Sequence, residues 1–391
     1  MTDGQNDAAS SPSLTEETTS IKPLTSPFPH ASHLPFDLVP EILCRLPVKH
    51  LLRLRCVCQS WDSLISGDSK FAKKHLRLST SSHDRHHLIW ARQILLSHSP
   101  ISSFFGSHFT ITLTHLSHRH SLIAVVNNGN DARRVTTCDG ILCFAIDESL
   151  ALLSNPSIRK YKLLPPLKMI NPDQRYFENL YTLVYDRFTS NYKIISVACC
   201  NGKKEVNVHT LGTDYWRTIP DFPCPYIIPK PGVFVSDTVN WLACDAFSFA
   251  ARVIVSLDLE NERYQKLSPP FYGMTFEVSA TLGVLRGCLS VLSYSNKFSN
   301  IWIMKEYGNE KSWTKLFSVP RLEEWGVYVY TKALYILEDE QVLMECLKMG
   351  KSSLVVYDSI NNTFKIPKFQ NNIQGSEMTA EVYVESLISP L

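Results

Sequence analysis

The chain has 391 residues, of which 44% are hydrophobic and 19% charged, and this balance excludes a largely disordered polypeptide. Its 39 Lys and Arg against 37 Asp and Glu leave a formal charge of +2, which is no polycation for nucleic acid or an anionic membrane. No apolar run approaches ~18 residues, so no membrane-spanning helix is expected. The 11 cysteines are scattered, and neither Cys56-Val57-Cys58 nor Cys199-Cys200 has the spacing of a zinc site or a redox pair. They read as small buried hydrophobes in a reducing compartment, the cytosol or the nucleus.

Three regions follow along the chain. Residues 1–33 are polar, rich in Ser, Thr and Pro, and lack the apolar core of a secretory signal, so a disordered tail is expected. Residues 34–78 turn helical and basic, with eight Lys and Arg against four Asp and Glu, a local charge of +4. Asp37 is placed to cap a first helix whose first turn holds Pro40, and Leu38, Ile42 and Leu46 share one face of it. Pro47 stops that helix. Val48, Leu51, Leu52 and Cys56 mark a second amphipathic segment. Trp61, Leu64 and Ile65 mark a third that Gly67 ends, and Phe71, His75 and Leu76 mark a fourth. Four short helices bury little core alone, so the module is expected to need a partner surface.

The run Leu34-Pro35-Phe36-Asp37-Leu38-Val39-Pro40-Glu41-Ile42-Leu43-Cys44-Arg45-Leu46-Pro47-Val48-Lys49, followed by Arg55-Cys56-Val57-Cys58-Gln59-Ser60-Trp61, resembles the F-box. The resemblance implies docking on the Skp adaptor of a cullin-RING ubiquitin ligase. Carried over residue by residue, it implies that Leu34, Pro35, Leu38, Ile42, Leu43, Leu46 and Pro47 form the adaptor-binding set. Leu51, Leu54 and Trp61 read as the module's own core.

From residue 79 onward the chain reads as short strands between Pro, Gly, Asn and Asp turns. An aromatic residue recurs just before a strand-ending proline: Tyr161 before Pro165, Trp216 before Pro220, Tyr264 before Pro269, Trp313 before Pro320, Phe364 before Pro367. The prolines are 55, 49, 51 and 47 residues apart. Four strands per ~50 residues predict stacked blades of kelch-like size, because one four-stranded sheet cannot bury both its faces. About six blades are expected over residues 79–391, with Leu88 to Ile94 and the chain's last strand near Tyr383 to Ile388 closing a shared blade. A two-sheet sandwich is the alternative architecture. Val233 to Ala243, Ile254 to Leu259, Ile301 to Gly308 with Ser312 to Lys315, and Tyr383 to Pro390 resemble the plant F-box-associated interaction domain of F-box/kelch-repeat proteins.

No nucleophile elbow, zinc-protease motif, phosphate loop or dinucleotide fingerprint occurs. Eight of the 13 histidines lie between His83 and His120, and His115, His118 and His120 read as a solvated strand edge, not as metal ligands. The acid pairs Asp147-Glu148 and Glu323-Glu324 read as turns. The aromatics before each proline read as blade packing. Recognition is assigned to the segments that interrupt the repeat, Ile170 to Glu178, Pro223 to Pro231, Phe271 to Phe276 and Phe369 to Glu377, with Tyr176, Phe177, Tyr226 and Tyr272 as target-binding candidates. The expected function is that of a non-catalytic substrate-recognition subunit of an SCF-type ubiquitin ligase. Its expected partners are the Skp adaptor, through it cullin and RING subunits, and a target protein, with no cofactor. A lectin-like propeller that binds a glycan or small ligand is the alternative, and a propeller enzyme a third reading. The change of charge and periodicity near residue 80 predicts two separable halves.

Overall fold

The computed structural model describes residues 38–92, 95–105, 110–111, 114–115, 135–146, 149–167, 179–200, 203–245, 252–270, 279–294, 298–320, 328–337, 339–348, 351–369 and 379–391. Four helices come first: α1 (Leu38–Leu43), α2 (Val48–Leu54), α3 (Gln59–Gly67) and α4 (Ser69–Thr80). Pro47 begins α2 where its missing N–H costs nothing. Asp68 caps α4 by accepting the N–H groups of Lys70 at 2.7 Å and Phe71 at 3.1 Å. Asp37 and the tail lie outside the described residues.

The rest is β-structure apart from short turns and α5 (Ser102–Phe105). The chain runs through β1 (His86–Arg92), β2 (Leu95–Pro100), β3 (Thr110–Ile111) and β4 (Thr114–His115). Blade two is β5 (Val135–Cys138), β6 (Ile141–Ala145), β7 (Ala151–Asn155) and β8 (Lys160–Leu163). Blade three is β9 (Asn179–Asp186), β10 (Asn191–Cys200), β11 (Lys203–Thr210) and β12 (Trp216–Ile219). Blade four is β13 (Tyr226–Ile227), β14 (Val233–Val235), β15 (Thr238–Cys244), β16 (Arg252–Asp258) and β17 (Tyr264–Leu267), where β13 and β14 share one edge of β15. Blade five is β18 (Ser279–Leu285), β19 (Cys288–Tyr294), β20 (Phe298–Met304) and β21 (Trp313–Pro320). Blade six is β22 (Tyr328–Ile336), β23 (Gln341–Lys348), β24 (Lys351–Asp358) and β25 (Thr363–Lys365). After β26 (Lys368–Phe369), which pairs with β3, the last strand β27 (Thr379–Val384) joins β1, β2 and β4 to complete blade one. Its register runs from His86 opposite Val384 to Ala91 opposite Thr379. The architecture is a module of four short helices followed by a six-bladed propeller closed by pairing of its two ends. Closure was expected near Tyr383 to Ile388. The strand ends at Val384, and the residues after it serve another purpose described below.

Strand alternation explains the ring. Neighbouring residues point to opposite faces of a sheet, so each blade feeds two interfaces. In β15, Trp241 packs toward blade three and Leu242 toward blade five. In β6, Leu142 faces blade one, while Ile141 and Cys143 face blade three. Six apolar clusters occupy the six blade interfaces around the ring. The hairpins repeat as well. Asn155, Asp258 and Asp358 each accept the N–H two residues on, at 2.9, 2.9 and 3.1 Å. Four residues beyond each of them, Arg159, Glu262 and Asn362 turn the chain at positive φ.

Candidate functional site

The helical module presents an apolar surface on one side and buries the other. On α1, Val39 and Leu43 face inward with Cys44, Val48, Leu51, Ile65 and Phe71. Leu38 and Ile42 face outward, each 47% exposed, and Val57 between α2 and α3 is 61% exposed. Of the residues assigned to the adaptor from sequence, Leu38 and Ile42 therefore lie free on the surface. Leu46 and Pro47 are half-buried. Leu43 is only 2% exposed and belongs to the core, because it lies one residue beyond Ile42 and so about 100° around the helix. Leu34 and Pro35 lie outside the described residues. Leu51 is fully buried, and Leu54 and Trp61 pack against the same core. Arg45, Lys49 and Arg53 of the same module are exposed, while Glu41 and Asp62 are engaged by Lys74 and Arg55. Cys56 and Cys58 are exposed, which departs from the expectation of buried cysteines. Cys44, Cys143, Cys224, Cys244 and Cys346 are buried as expected.

The helical module and the propeller pack against each other. The helices' inward residues form one continuous apolar core with Ile141, Leu153, Leu164, Tyr181, Tyr192, Ile194 and Leu387 of the propeller. Polar contacts reinforce this junction. Glu385, just past β27, accepts the Val48 N–H at 3.2 Å. Burial opposes charge on Glu385, but hydrogen bonds from His87 and Val48 prevail and hold its carboxyl below the usual range. Arg85 donates to the Arg45 carbonyl and, at 3.0 Å, to Ser79. Lys73 donates to the Tyr185 hydroxyl at 3.2 Å. The histidine cluster belongs here too. His75 meets the Leu46 carbonyl at 3.0 Å, His86 meets the Tyr335 hydroxyl at 2.6 Å, and His98 meets the Tyr383 hydroxyl at 3.2 Å. Sequence reading placed His75 on the fourth helix and assigned no role to His86 or His98. Among the described residues, no group of three or more His, Cys, Asp or Glu is arranged to hold a metal. His118, His120, Asp147-Glu148 and Glu323-Glu324 lie outside the described residues.

The helices sit on the face where first strands end and third strands end, beside Tyr185, Leu211 and the C-terminal residues. Antiparallel alternation puts the starts of the first strands on the other face. The assigned recognition segments precede the first strands β9, β14, β18 and β27, so the strand ends that flank them face away from the helices. Tyr226 lies there. It is 38% exposed, sits in β13 opposite Cys244, and has the Lys204 ammonium 5.9 Å from its ring centroid. Tyr176, Phe177 and Tyr272 lie outside the described residues.

A helical module with an exposed aliphatic pair is thus fixed to one face of a closed propeller. A family model for the F-box domain matches residues 31–73, and one for the F-box associated beta propeller domain matches residues 95–390. The F-box/kelch-repeat protein At3g23880 of Arabidopsis thaliana is 31% identical over 376 residues, covering 93% of this chain and 96% of that one. The F-box protein CPR1 of the same plant is 24% identical over 382 residues, covering 91% and 88%. Among solved structures, an oligogalacturonate lyase in complex with manganese aligns with a TM-score of 0.42 at 11% identity, covering 74% of this chain and 81% of that one, too distant to carry an argument. The chain belongs to the F-box proteins with an F-box associated β-propeller. Such chains are typical of SCF substrate adaptors, and the F-box indicates binding to a Skp-type adaptor.

Proposed function

We propose that the protein is the target-recognising subunit of an SCF-type cullin-RING ubiquitin ligase and performs no bond chemistry itself. One observation carries this reading. Leu38 and Ile42 stand one turn apart on α1, exposed, in a module whose other described large apolar residues, Val57 excepted, pack on the core. A pair of exposed large aliphatics one turn apart, in a module whose Arg45, Lys49 and Arg53 are exposed, suits an acidic partner with an apolar groove. The adaptor surface is assigned to Leu34, Pro35, Leu38, Ile42, Leu46 and Pro47, with Leu43 beneath it as support. Target recognition is assigned to the propeller face turned away from the helices, with Tyr226, Tyr176, Phe177 and Tyr272. The work is done by proximity: the shared core holds the two surfaces in fixed relation, so a captured protein is presented to the conjugating enzyme at high effective concentration. The cytosol or nucleus is the assigned compartment.

The test is capture of a Skp-type adaptor by the full chain and by a Leu38→Ala, Ile42→Ala double variant. Loss of ~1–3 kcal/mol of affinity is expected for two truncated apolar anchors. Unchanged affinity in a folded double variant overturns the assignment. Affinity capture with mass spectrometry, with and without proteasome inhibition, identifies targets. Tyr226→Ala is expected to lose them while keeping the adaptor.

A further inference from the structure

α4 carries Lys70, Lys73, Lys74 and Arg77 and no acid, at the i, i+3, i+4, i+7 spacing that sets four cations along one side of a helix. Its other side is buried through Phe71, Ala72, His75 and Ser79. Like charges at this spacing repel one another. Asp68, the acid nearest in sequence, is spent on the backbone N–H groups of Lys70 and Phe71. Lys70 and Arg77 are exposed and pair with no acid among the described residues. The two middle cations mark where the stripe leads. Lys74 binds Glu41, which stands on the exposed turn of α1 between Leu38 and Ile42. Lys73 donates to the Tyr185 hydroxyl, with its ammonium 5.6 Å from the ring centroid. Tyr185 is the last residue but one of β9, so the stripe ends beside the hairpin that joins β9 to β10. That hairpin holds an aromatic ring outside. Asp186 accepts the Phe188 N–H at 2.9 Å and the Thr189 hydroxyl at 2.7 Å, and its buried carboxylate pairs with Lys193 at 2.7 Å. Arg187 binds Asp237 at 2.9 Å and lays its guanidinium 5.2 Å from the Phe188 ring centroid. Phe188 nonetheless stays 45% exposed. The same hairpins of blades two, four and five turn on Asp139-Gly140, Ser236-Asp237 and Arg286-Gly287, so blade packing calls for no aromatic there.

We infer that the surface docking the Skp-type adaptor runs past the helical module onto the propeller: the basic stripe of α4 takes an acidic stretch of the adaptor, and Phe188 of blade three seats in an apolar recess beside it. The inference rests on the reading of Leu38 and Ile42 as the adaptor's anchor. Two observations carry it. The surface is continuous, since the Glu41–Lys74 pair ties α4 to the aliphatic pair and the Lys73–Tyr185 bond ties it to blade three. The uncompensated charge is of one sign, so Lys70 and Arg77 gain acidic partners from outside the chain. Exposed cations of this kind speed association and lose force in salt. An aromatic on a hairpin already fixed by hydrogen bonds costs little to order and slows dissociation once seated. An adaptor held at α1 and at blade three together is fixed in angle relative to the propeller face assigned to the target.

The experiment measures association and dissociation of the full chain with a purified Skp-type adaptor at about 50 and about 500 mM salt. Lys70→Glu with Arg77→Glu is expected to weaken binding by at least about tenfold at low salt, through slower association, and by less at high salt. Phe188→Ala is expected to weaken it about three- to tenfold at both, through faster dissociation. Lys305→Glu with Lys311→Glu, exposed on blade five, makes the same change of net charge and is expected to leave affinity within about twofold. All these side chains are exposed, and unfolding temperatures within about 2 °C of the parent chain check that the variants fold. Affinity lost in Leu38→Ala, Ile42→Ala but unchanged in the stripe and Phe188 variants overturns the inference and leaves the adaptor reading standing. Equal weakening by the blade-five pair overturns it too, because long-range attraction then accounts for the stripe. A duplex oligonucleotide and vesicles of an anionic phospholipid are the remaining probes. Binding of either that Lys70→Glu with Arg77→Glu abolishes, at unchanged adaptor affinity, gives the stripe to that partner and overturns the inference. No adaptor capture by the parent chain would sink the adaptor reading and this inference with it.

Discussion

Leu38, Ile42 and Leu43 share one turn and a half of α1 and divide between two jobs. Leu43→Ala is expected to cost about 2–4 kcal/mol of stability, because it opens a cavity in the core that the helices share with blades two and three. Leu38→Ala and Ile42→Ala are expected to change stability by less than about 1 kcal/mol each. Chemical denaturation of the three variants beside adaptor capture separates core from contact. His98 sets a second expectation. Burial pushes its imidazole down to about 4, with His87 opposing its charge and Glu385 favouring it. The unfolded chain therefore takes up a proton near pH 6.5 that the folded chain refuses. Stability is expected to fall as pH drops from about 6.5 toward 4, by about 1–2 kcal/mol from this residue after allowing for its partial exposure. Melting curves across that window check the trend, and His98→Phe is expected to flatten it.

At the scale of strands and turns, the repeated aromatics prove to be fasteners between blades. Trp216 donates its indole N–H to the Pro165 carbonyl at 2.8 Å, Tyr264 its hydroxyl to the Pro220 carbonyl at 3.0 Å, and Trp313 its indole N–H to the Ser268 carbonyl at 3.0 Å. Each bond reaches back to the end of the preceding repeat, which explains why aromatic and proline recur together. Trp216→Phe keeps the packing and is expected to cost about 1 kcal/mol for the lost bond, read as a lowered denaturant midpoint. Gly140, at φ 82°, turns between β5 and β6 against the C-terminal residues. A Cβ there would meet the Ser386 hydroxyl and the Val384 carbonyl, so Gly140→Ala is expected to displace the segment that covers the junction. The repeat was legible in sequence because five consecutive blades carry their aromatic and proline in one stretch each. Blade one carries no such repeat, and was legible only because strands without the full repeat stand at the two ends of the domain, where β1 and β27 pair. For α1, period alone gave the helix but not its rotation. Leu38, Val39, Ile42 and Leu43 are all apolar, and only the packing partner decides which pair points inward. The histidines at the junction were opaque for a different reason. Their partners, Leu46, Tyr335 and Tyr383, are remote in sequence.

Taken whole, the molecule is a ring with a fixed handle. Deleting residues 379–391 removes β27, the inner strand of blade one, together with the Leu387 and Ile388 cover of the junction. Aggregation on size-exclusion chromatography is expected, because sheet edges and apolar faces are left open. Deleting residues 1–80 is expected to fail as well, since it uncovers Ile141, Leu164, Tyr181 and Tyr192, so a target-trapping variant is better made by Leu38→Asp, Ile42→Asp substitution than by truncation.

The pairing of β1 with β27 also sets a schedule for synthesis. Arg92 ends β1 and Thr379 begins its partner, so the ribosome must add 287 residues (379 minus 92) between them. At roughly 5–20 residues per second, the half-made first blade waits roughly 15–60 seconds with one edge open. By the end of that interval the nascent chain holds its helices and five blades in an arc that cannot shut. Slowing translation near the 3′ end of the message is expected to lower the yield of monomer more than slowing it near the start, because the open edge then waits longest with most of the ring already made.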